Sequence, residues 1–108
     1  MKSYEGDADG STVMVVDRFR RAPLAPRNDL RNHSPDGFAW GYGGSGPSQL
    51  ALAILADCTD DKTALEWYMP FKWRVIAKLP MREPWSLSLQ DVADSLNVLR
   101  SEGRGGGA

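Results

Sequence analysis

The stretch FAWGYGGSGPSQLALAILADC, residues 38–58, decides the fold. Its first five residues alternate large rings with small residues, a period of two that predicts a β-strand over 38–42 with its rings on one face. Gly46 and Pro47 then suit the N-cap and first turn of a helix, because a proline there loses only an amide that has no intrahelical acceptor. The seven apolar residues from Leu50 to Ala56 are too few to span a membrane. We therefore expect the helix predicted over 47–58 to be buried in the core.

The residues before this stretch predict a hairpin. Thr12 to Val16 is a β-branched and apolar run typical of a strand, and a second strand is expected from Phe19 to Leu24. Pro23 places that second strand at a sheet edge, since proline donates no ladder hydrogen bond. Residues 1–10 are polar and contain glycine, which predicts a flexible N-terminus, with Tyr4 as the one position that could be held.

The residues after the stretch predict two more helices, over about 62–78 and 89–101. Apolar residues recur at spacings of three and four in both, and Ser88 followed by Asp91 resembles a capping box. Pro70 removes a hydrogen bond from the first of these helices, so we expect a kink or break near 66–69. The glycine-rich residues 103–108 predict a flexible tail.

These elements together indicate an α+β fold. We expect a short antiparallel sheet, formed by the N-terminal hairpin and the aromatic strand 38–42, packed by the three helices. The predicted organisation is a single domain over 11–102 between flexible ends at 1–10 and 103–108. A chain of 108 residues suits one core and not two.

Composition narrows the classes of function. Thirteen basic and 14 acidic residues give a net charge of −1, so no overall field draws the protein to nucleic acid or to an anionic membrane. A single cysteine, Cys58, excludes an intrachain disulfide and a cysteine metal cluster. The polar start of the chain does not resemble a signal peptide, and we expect a cytoplasmic protein. The oligomeric state is not indicated.

The candidate partner-binding residues lie in the segment that runs from the predicted hairpin to the turn before the aromatic strand. Five arginines and one acid between positions 18 and 31 give this segment a local charge of +4. We assign partner binding to Arg18, Arg20, Arg21, Arg31, Asn32 and His33. The alternative is a solvated edge whose charges prevent sheet-to-sheet association.

The expected partner is a protein. A weaker alternative is nucleic acid, with Phe38, Trp40 and Tyr42 stacking bases and the arginines meeting phosphates. A core role for these rings is the simpler interpretation, because the central helix needs an apolar surface beside it. The tryptophans Trp67, Trp73 and Trp85 cannot all be assigned to the core, and an exposed pair among them would mark a protein contact.

The loop between the predicted strand and helix satisfies the spacing GxGxxG. Gly43, Gly44, Ser45 and Gly46 are therefore candidates for binding an anion or nucleotide at a helix N-terminus. Pro47 stands where a phosphate loop has its lysine, so one charge and one amide are missing. The competing interpretation is that the glycines form a tight turn and let the helix pack closely on the strand.

Nucleophilic catalysis has poor support in the sequence. His33 and Cys58 are the one possible pair, but a buried thiol near Asp57 and Asp60 is expected to have a raised pKa. A hydrogen bond to its own turn is the expected role of the His33 side chain. We assign no catalytic residue, no metal site and no cofactor.

Residues 28–55, NDLRNHSPDGFAWGYGGSGPSQLALAIL, resemble the signature LxNHSPxGFxWGYxGSGPAQLALAIL. That signature belongs to a family of small bacterial, archaeal, phage and plasmid proteins classed as a domain of unknown function. The match continues through Tyr68, Phe71 and Lys72, which are similar to the family's Y-x-x-F-K, whereas Pro70 departs from it.

This resemblance implies a setting and no activity. Proteins of this kind resemble accessory products of mobile elements, many of which bind and block a host protein, as anti-restriction and anti-CRISPR inhibitors do. The sequence thus favours a small non-enzymatic domain that binds a macromolecule. The alternative is an anion- or nucleotide-binding module built on the glycine loop.

Overall fold

The computed structural model describes residues 2–102. Its elements, in chain order, are β1 (Ser3–Gly6), β2 (Val13–Asp17), β3 (Arg20–Pro23), α1 (Ser45–Cys58), α2 (Asp61–Arg74), a 3-10 turn (Ile76–Lys78), β4 (Trp85–Ser88) and α3 (Leu89–Ser101). The predicted α+β class, with an antiparallel sheet and three helices, is confirmed. The predicted tail at 103–108 lies outside the described residues.

The sheet has the strand order β3-β2-β1-β4 and is antiparallel throughout. β1 is a central strand, in which Tyr4 lies opposite Val15 on one neighbour and Leu87 on the other. The Tyr4 side chain is fully buried, in keeping with the exception made for it, but residues 3–6 form a regular strand where a flexible terminus was predicted. As predicted, β3 with Pro23 lies at the sheet edge.

α1 is the buried centre of the structure. All residues from Gly46 to Leu55 are buried, as the apolar run predicted, and the helix begins at Ser45. Its C-terminal turn also joins the sheet, because the Tyr4 hydroxyl donates to Asp57 Oδ2 at 2.7 Å. The helix thus fixes the sheet as well as the other helices.

The predicted aromatic strand over 38–42 is wrong, because this segment is irregular. Gly41 has φ of +86° and donates its N–H to the Ile76 carbonyl, so the chain turns where a strand would continue. The three rings consequently separate. Trp40 is buried with its indole N–H on the Pro80 carbonyl at 3.0 Å, Phe38 is half-buried, and Tyr42 is exposed.

Gln49 of α1 holds the irregular chain before this segment. Its Oε1 accepts from the backbone N–H groups of His33 and Ser34 at 2.8 and 3.1 Å. Its Nε2 donates to the carbonyls of Pro26 and Arg31 at 2.6 and 3.0 Å. The amide is fully buried and uses both oxygen lone pairs and both N–H groups, so one side chain supplies the partners that a strand would supply elsewhere.

α2 continues without interruption through Pro70, so the predicted break near 66–69 is wrong. A proline inside a helix costs roughly 3 kcal/mol. The buried face of α2 lies on both sides of that position, with Trp67 and Tyr68 before it and Phe71 after it. Burial of each large side chain contributes about 1.5–3 kcal/mol, which is enough to hold the helix together.

β4 and α3 form one unit at the end of the described chain. Trp85 and Leu87 of β4 face the core, and the Trp85 ring meets the Trp40 ring edge-on at 5.3 Å between centroids. The predicted capping box is confirmed, since Ser88 and Asp91 each accept from the other's backbone N–H. Within residues 2–102 there is no helix with the length and apolar character needed to cross a bilayer.

Replacing Gln49 with leucine tests the four hydrogen bonds that its side chain makes to the backbone. The change keeps the volume but leaves two N–H and two carbonyl groups without partners. Each such group costs roughly 1–3 kcal/mol, so we expect the free energy of unfolding in urea to fall by about 3 kcal/mol or more. The control is Gln90→Leu on the exposed face of α3, where we expect a change within about 0.5 kcal/mol. Equal, small losses of unfolding free energy in both variants would contradict this role of Gln49.

Candidate functional site

The glycine loop at 41–46 is shaped by what lies against it. Met81 covers Gly41, the outer edge of the Trp73 ring lies against Gly43, and the Tyr42 ring lies against Gly44. At the end of the loop, Gly46 packs on the backbone of Ala39. The loop glycines therefore allow close approach of neighbouring groups, and within the loop only Gly41 has the positive φ of a tight turn.

Exposed apolar side chains gather around this loop. Among the described residues the exposed large hydrophobic side chains are Phe19, Tyr42, Met69, Trp73 and Met81. Three of them cover the loop glycines, and Met69 reaches the first turn of α1, where its Sδ lies 3.8 Å from Ser48 Oγ. We call Tyr42, Met69, Trp73 and Met81, which are 41–55% exposed, the loop patch. Phe19 lies on the β2–β3 hairpin.

Lys72 adds a positive charge to the loop patch. Its side chain is 4% exposed, and its Nζ lies 4.3 Å from the centroid of the Trp73 ring. The Lys72 ammonium forms no hydrogen bond or ion pair with the described residues, so this cation–π contact is the interaction that it makes with them. Most of the Lys72 side chain is therefore buried, while its ammonium keeps contact with solvent.

The N-terminus of α1 borders the loop patch and is open. Gly44 is the N-cap and offers no side-chain hydrogen bond, and the first turn carries no acidic residue. The N–H groups of Ser45 and Gly46 donate to no acceptor among residues 2–102. The positive end of the helix dipole therefore meets no negative side chain here.

The candidate residues of the hairpin are displayed at its tip. Arg18, Phe19, Arg20 and Arg21 are exposed, and Phe19 reaches 90% exposure. The Arg18 guanidinium lies 6.0 Å from the Phe19 ring centroid, and Arg21 pairs with Glu5 of β1 at 3.0 Å. An exposed ring between two arginines is typical of a contact surface.

The other candidate residues, Arg31, Asn32 and His33, lie on the segment that Gln49 holds. Arg31 donates to the Leu30 carbonyl, and Asn32 accepts from Asn28. Within the described chain no hydrogen bond or ion pair joins these residues to the hairpin arginines. The six candidates thus lie on two different segments, the β2–β3 hairpin and the irregular chain held by Gln49.

The His33 ring is bonded to α2 and not to its own turn, which corrects the sequence prediction. Its Nε2 lies 2.7 Å from the Tyr68 hydroxyl. Cys58 lies at the other end of α1, where burial raises the pKa of its thiol and the Asp57 charge adds to the rise, as expected. His33 and Cys58 are therefore not brought together as a nucleophile and base.

Sequence reasoning missed the loop patch and Lys72, although the signal was present. The apolar stripe of α2 passes through Ala64, Tyr68 and Phe71, whereas Met69 and Trp73 stand four apart beside it. Two large apolar residues off the buried stripe predict an exposed apolar face. Of the three tryptophans left open, Trp73 is the exposed one, at 55%.

Comparison with known proteins gives one match. A model of a family of unknown function, DUF6166, matches residues 4–98. No curated protein and no solved structure matches the chain. The match covers every element from β1 to most of α3.

Two alanine substitutions test how the loop is packed. In Gly46→Ala the new Cβ would lie 2.7 Å from Ala39 Cβ and 3.0 Å from Ala39 N. Because that neighbour includes backbone, we expect a loss of about 1–3 kcal/mol in urea unfolding. In Gly43→Ala the obstacle is the ring of Trp73, an exposed side chain. We expect this ring to swing outward, raising iodide quenching of tryptophan fluorescence with a smaller loss of stability. Similar losses without a change in quenching would contradict this packing.

The reactivity of the Cys58 thiol tests its burial at the end of α1. Because burial raises its pKa, less thiolate is present near pH 8 than for a free cysteine. We expect Ellman's reagent to label the native protein more slowly than the urea-unfolded chain at the same pH. Faster labelling of the native protein would indicate an activated thiol.

Proposed function

The chain belongs to DUF6166, a family of unknown function, and we propose that it is a non-enzymatic domain that binds a protein through the loop patch. The observation that supports this proposal is the gathering of Tyr42, Met69, Trp73 and Met81 around one glycine loop. Water is in contact with these side chains in the free domain. Covering them with a partner releases that water and stabilises the complex.

The composition of the loop patch favours a protein partner. Tyrosine, tryptophan and methionine are enriched in the centres of protein interfaces, and tryptophan and tyrosine are frequent hot spots. The net charge of −1 gives no general attraction to nucleic acid. The arginines of the hairpin are not part of the loop patch.

The hairpin tip supports a second contact with the same partner. Arg18 and Arg20 present charge beside the 90% exposed Phe19 and meet no carboxylate within residues 2–102. Charges at the rim of an interface speed association more than they add affinity. We assign Arg18, Arg20 and Phe19 to this outer contact, which suits an acidic region of the partner. Arg31, Asn32 and His33 act through the fold of the segment that carries them.

The resemblance to accessory proteins of mobile elements supports a cytoplasmic role in which the partner is a host protein. Restriction and CRISPR components are the partners that this role implies. Blocking such a partner needs a surface and no catalytic residue. The separation of His33 from Cys58 agrees with that requirement.

Capture from host lysate by the tagged protein tests the proposal. After nuclease treatment we expect the wild type to retain a stoichiometric protein partner. The variant Tyr42→Ser/Trp73→Ser should lose it, because truncating interface hot spots costs about 2 kcal/mol or more each. Circular dichroism and urea unfolding would show that the variant remains folded.

Phe19→Ser is the matched control for this experiment. It removes an exposed ring of similar size from the hairpin, so it controls for general stickiness. We expect Phe19→Ser to weaken capture without abolishing it. Capture that depends on Phe19 and ignores Trp73 would move the main contact to the hairpin, and capture of nucleic acid alone would contradict the proposal.

A further inference from the structure

We propose that the groove between α3 and the turn joining α1 to α2 binds a free fatty acid of medium chain length. The groove is a cavity of about 330 Å³. This volume lies at the lower end of ligand-binding pockets, which span about 300–1,000 Å³. Its lining shares no residue with the loop patch, so the site is separate from the proposed partner surface.

One face of α3 forms the long wall of the groove. The lining residues of this wall recur at helical spacings of three and four, and they are Leu89, Val92, Ala93, Leu96, Asn97 and Arg100. From the first to the last of them α3 rises by about 16 Å. A cavity of about 330 Å³ spread over that length is narrow, so its shape suits an extended chain better than a ring system or a helix.

Ala93 leaves the space that the groove occupies. Its side chain is a single methyl group on the same face of α3 as the buried side chains of Val92 and Leu96. A longer apolar residue at this position would fill the groove. A hydrocarbon chain lying there instead leaves water and gains contact with leucine and valine side chains, which makes its burial favourable.

The opposite wall adds no charge. It is formed by Cys58 at the end of α1 and by Thr59 and Thr63 around the start of α2. Burial raises the pKa of the Cys58 thiol, which is therefore neutral near pH 7. Asp60 is the N-cap of α2, where its side chain accepts from the Thr63 N–H, and it does not line the groove. Within residues 2–102 no carboxylate forms part of either wall.

Arg100 gives one end of the groove a positive charge. Among the residues that line the cavity it has the one charged side chain. Its guanidinium lies 5.7 Å from the centroid of the Trp67 ring and makes no ion pair with a carboxylate of the described chain. Asn97, one turn earlier, is exposed and adds an amide donor. An apolar groove with such donors at one end is complementary to a fatty acid, which carries its carboxylate at one end of a hydrocarbon chain.

Occupancy of the groove is measured in the full chain by the rate at which Ellman's reagent labels Cys58. The probes are sodium hexanoate, octanoate and decanoate below their micelle concentrations, with octylammonium chloride as the cationic match to octanoate. We expect saturable slowing of labelling by the carboxylates. Their dissociation constants should fall by about threefold to fourfold per added methylene, because each methylene buries more apolar surface. Octylammonium should bind more weakly than octanoate.

Variants of α3 locate the bound chain. Ala93→Trp fills the groove and should abolish the octanoate-induced amide shifts of Val92 and Leu96 in NMR spectra, whereas Gln90→Trp on the exposed face of α3 should retain them. Arg100→Gln should weaken octanoate several-fold, since an ion pair near the surface contributes little. Arg74→Gln, which removes an arginine outside the groove, should leave the affinity unchanged. Urea unfolding shows whether each variant is folded.

Four results would overturn the inference. These are labelling that no carboxylate slows, equal binding of octanoate and octylammonium, octanoate shifts that persist in a folded Ala93→Trp variant, and an affinity that does not rise with chain length. Faster labelling of Cys58 at rising octanoate concentration would show unfolding in place of binding and would also contradict it.

Discussion

The buried amide of Gln49 is the constraint on which the rest of the structure depends. The chain from Leu24 to Gly44 forms no helix or strand, yet it crosses the most buried helix of the protein. Backbone polar groups beside an apolar helix must find partners. Gln49 satisfies four of them and thereby fixes where the segment runs. The turn, the glycine loop and the start of α1 follow from that path.

The loop patch exists because the glycines leave room for it. At Gly43 and Gly44 any Cβ would occupy the space of the Trp73 and Tyr42 rings. These rings therefore lie against the loop and keep about half of their surface in water. A free domain gains little from such an arrangement, since the same rings would contribute more if buried in the core. Their position makes sense as a surface prepared for contact.

The sequence predicted the elements that have strong local signals and missed those defined by distant partners. Three confirmed predictions rest on signals from neighbouring residues alone. They are the apolar run of α1, the capping box of Ser88 and the edge strand with Pro23. β1 has one large apolar residue, Tyr4, so its strand is decided by the neighbours on both sides. β4 alternates as Trp-Ser-Leu-Ser, which is the period of two typical of a strand. Four residues are too few for this period to stand out in the sequence.

The candidate site was predictable in part for the same reason. The glycine loop and the hairpin arginines stand out in the sequence. Lys72, in contrast, occupies an ordinary polar position in the pattern that predicts the helix. Its significance comes from burial and from the indole beside it, which only the packing of α2 on α1 reveals. The aromatic alternation at 38–42 misled because a positive φ at Gly41 ends any strand there.

The strand order has a consequence for how the chain reaches this structure. β1, near the beginning of the described chain, is completed on one side by β4, which comes after the loop, α1 and α2. During synthesis, the β4 side of β1 stays open until nearly all of these residues have left the ribosome. Contacts this far apart in sequence slow folding, because a long loop must close before they form. The exposed strand edge is a liability in that interval, and the hairpin with its arginines is the part of the sheet able to form early.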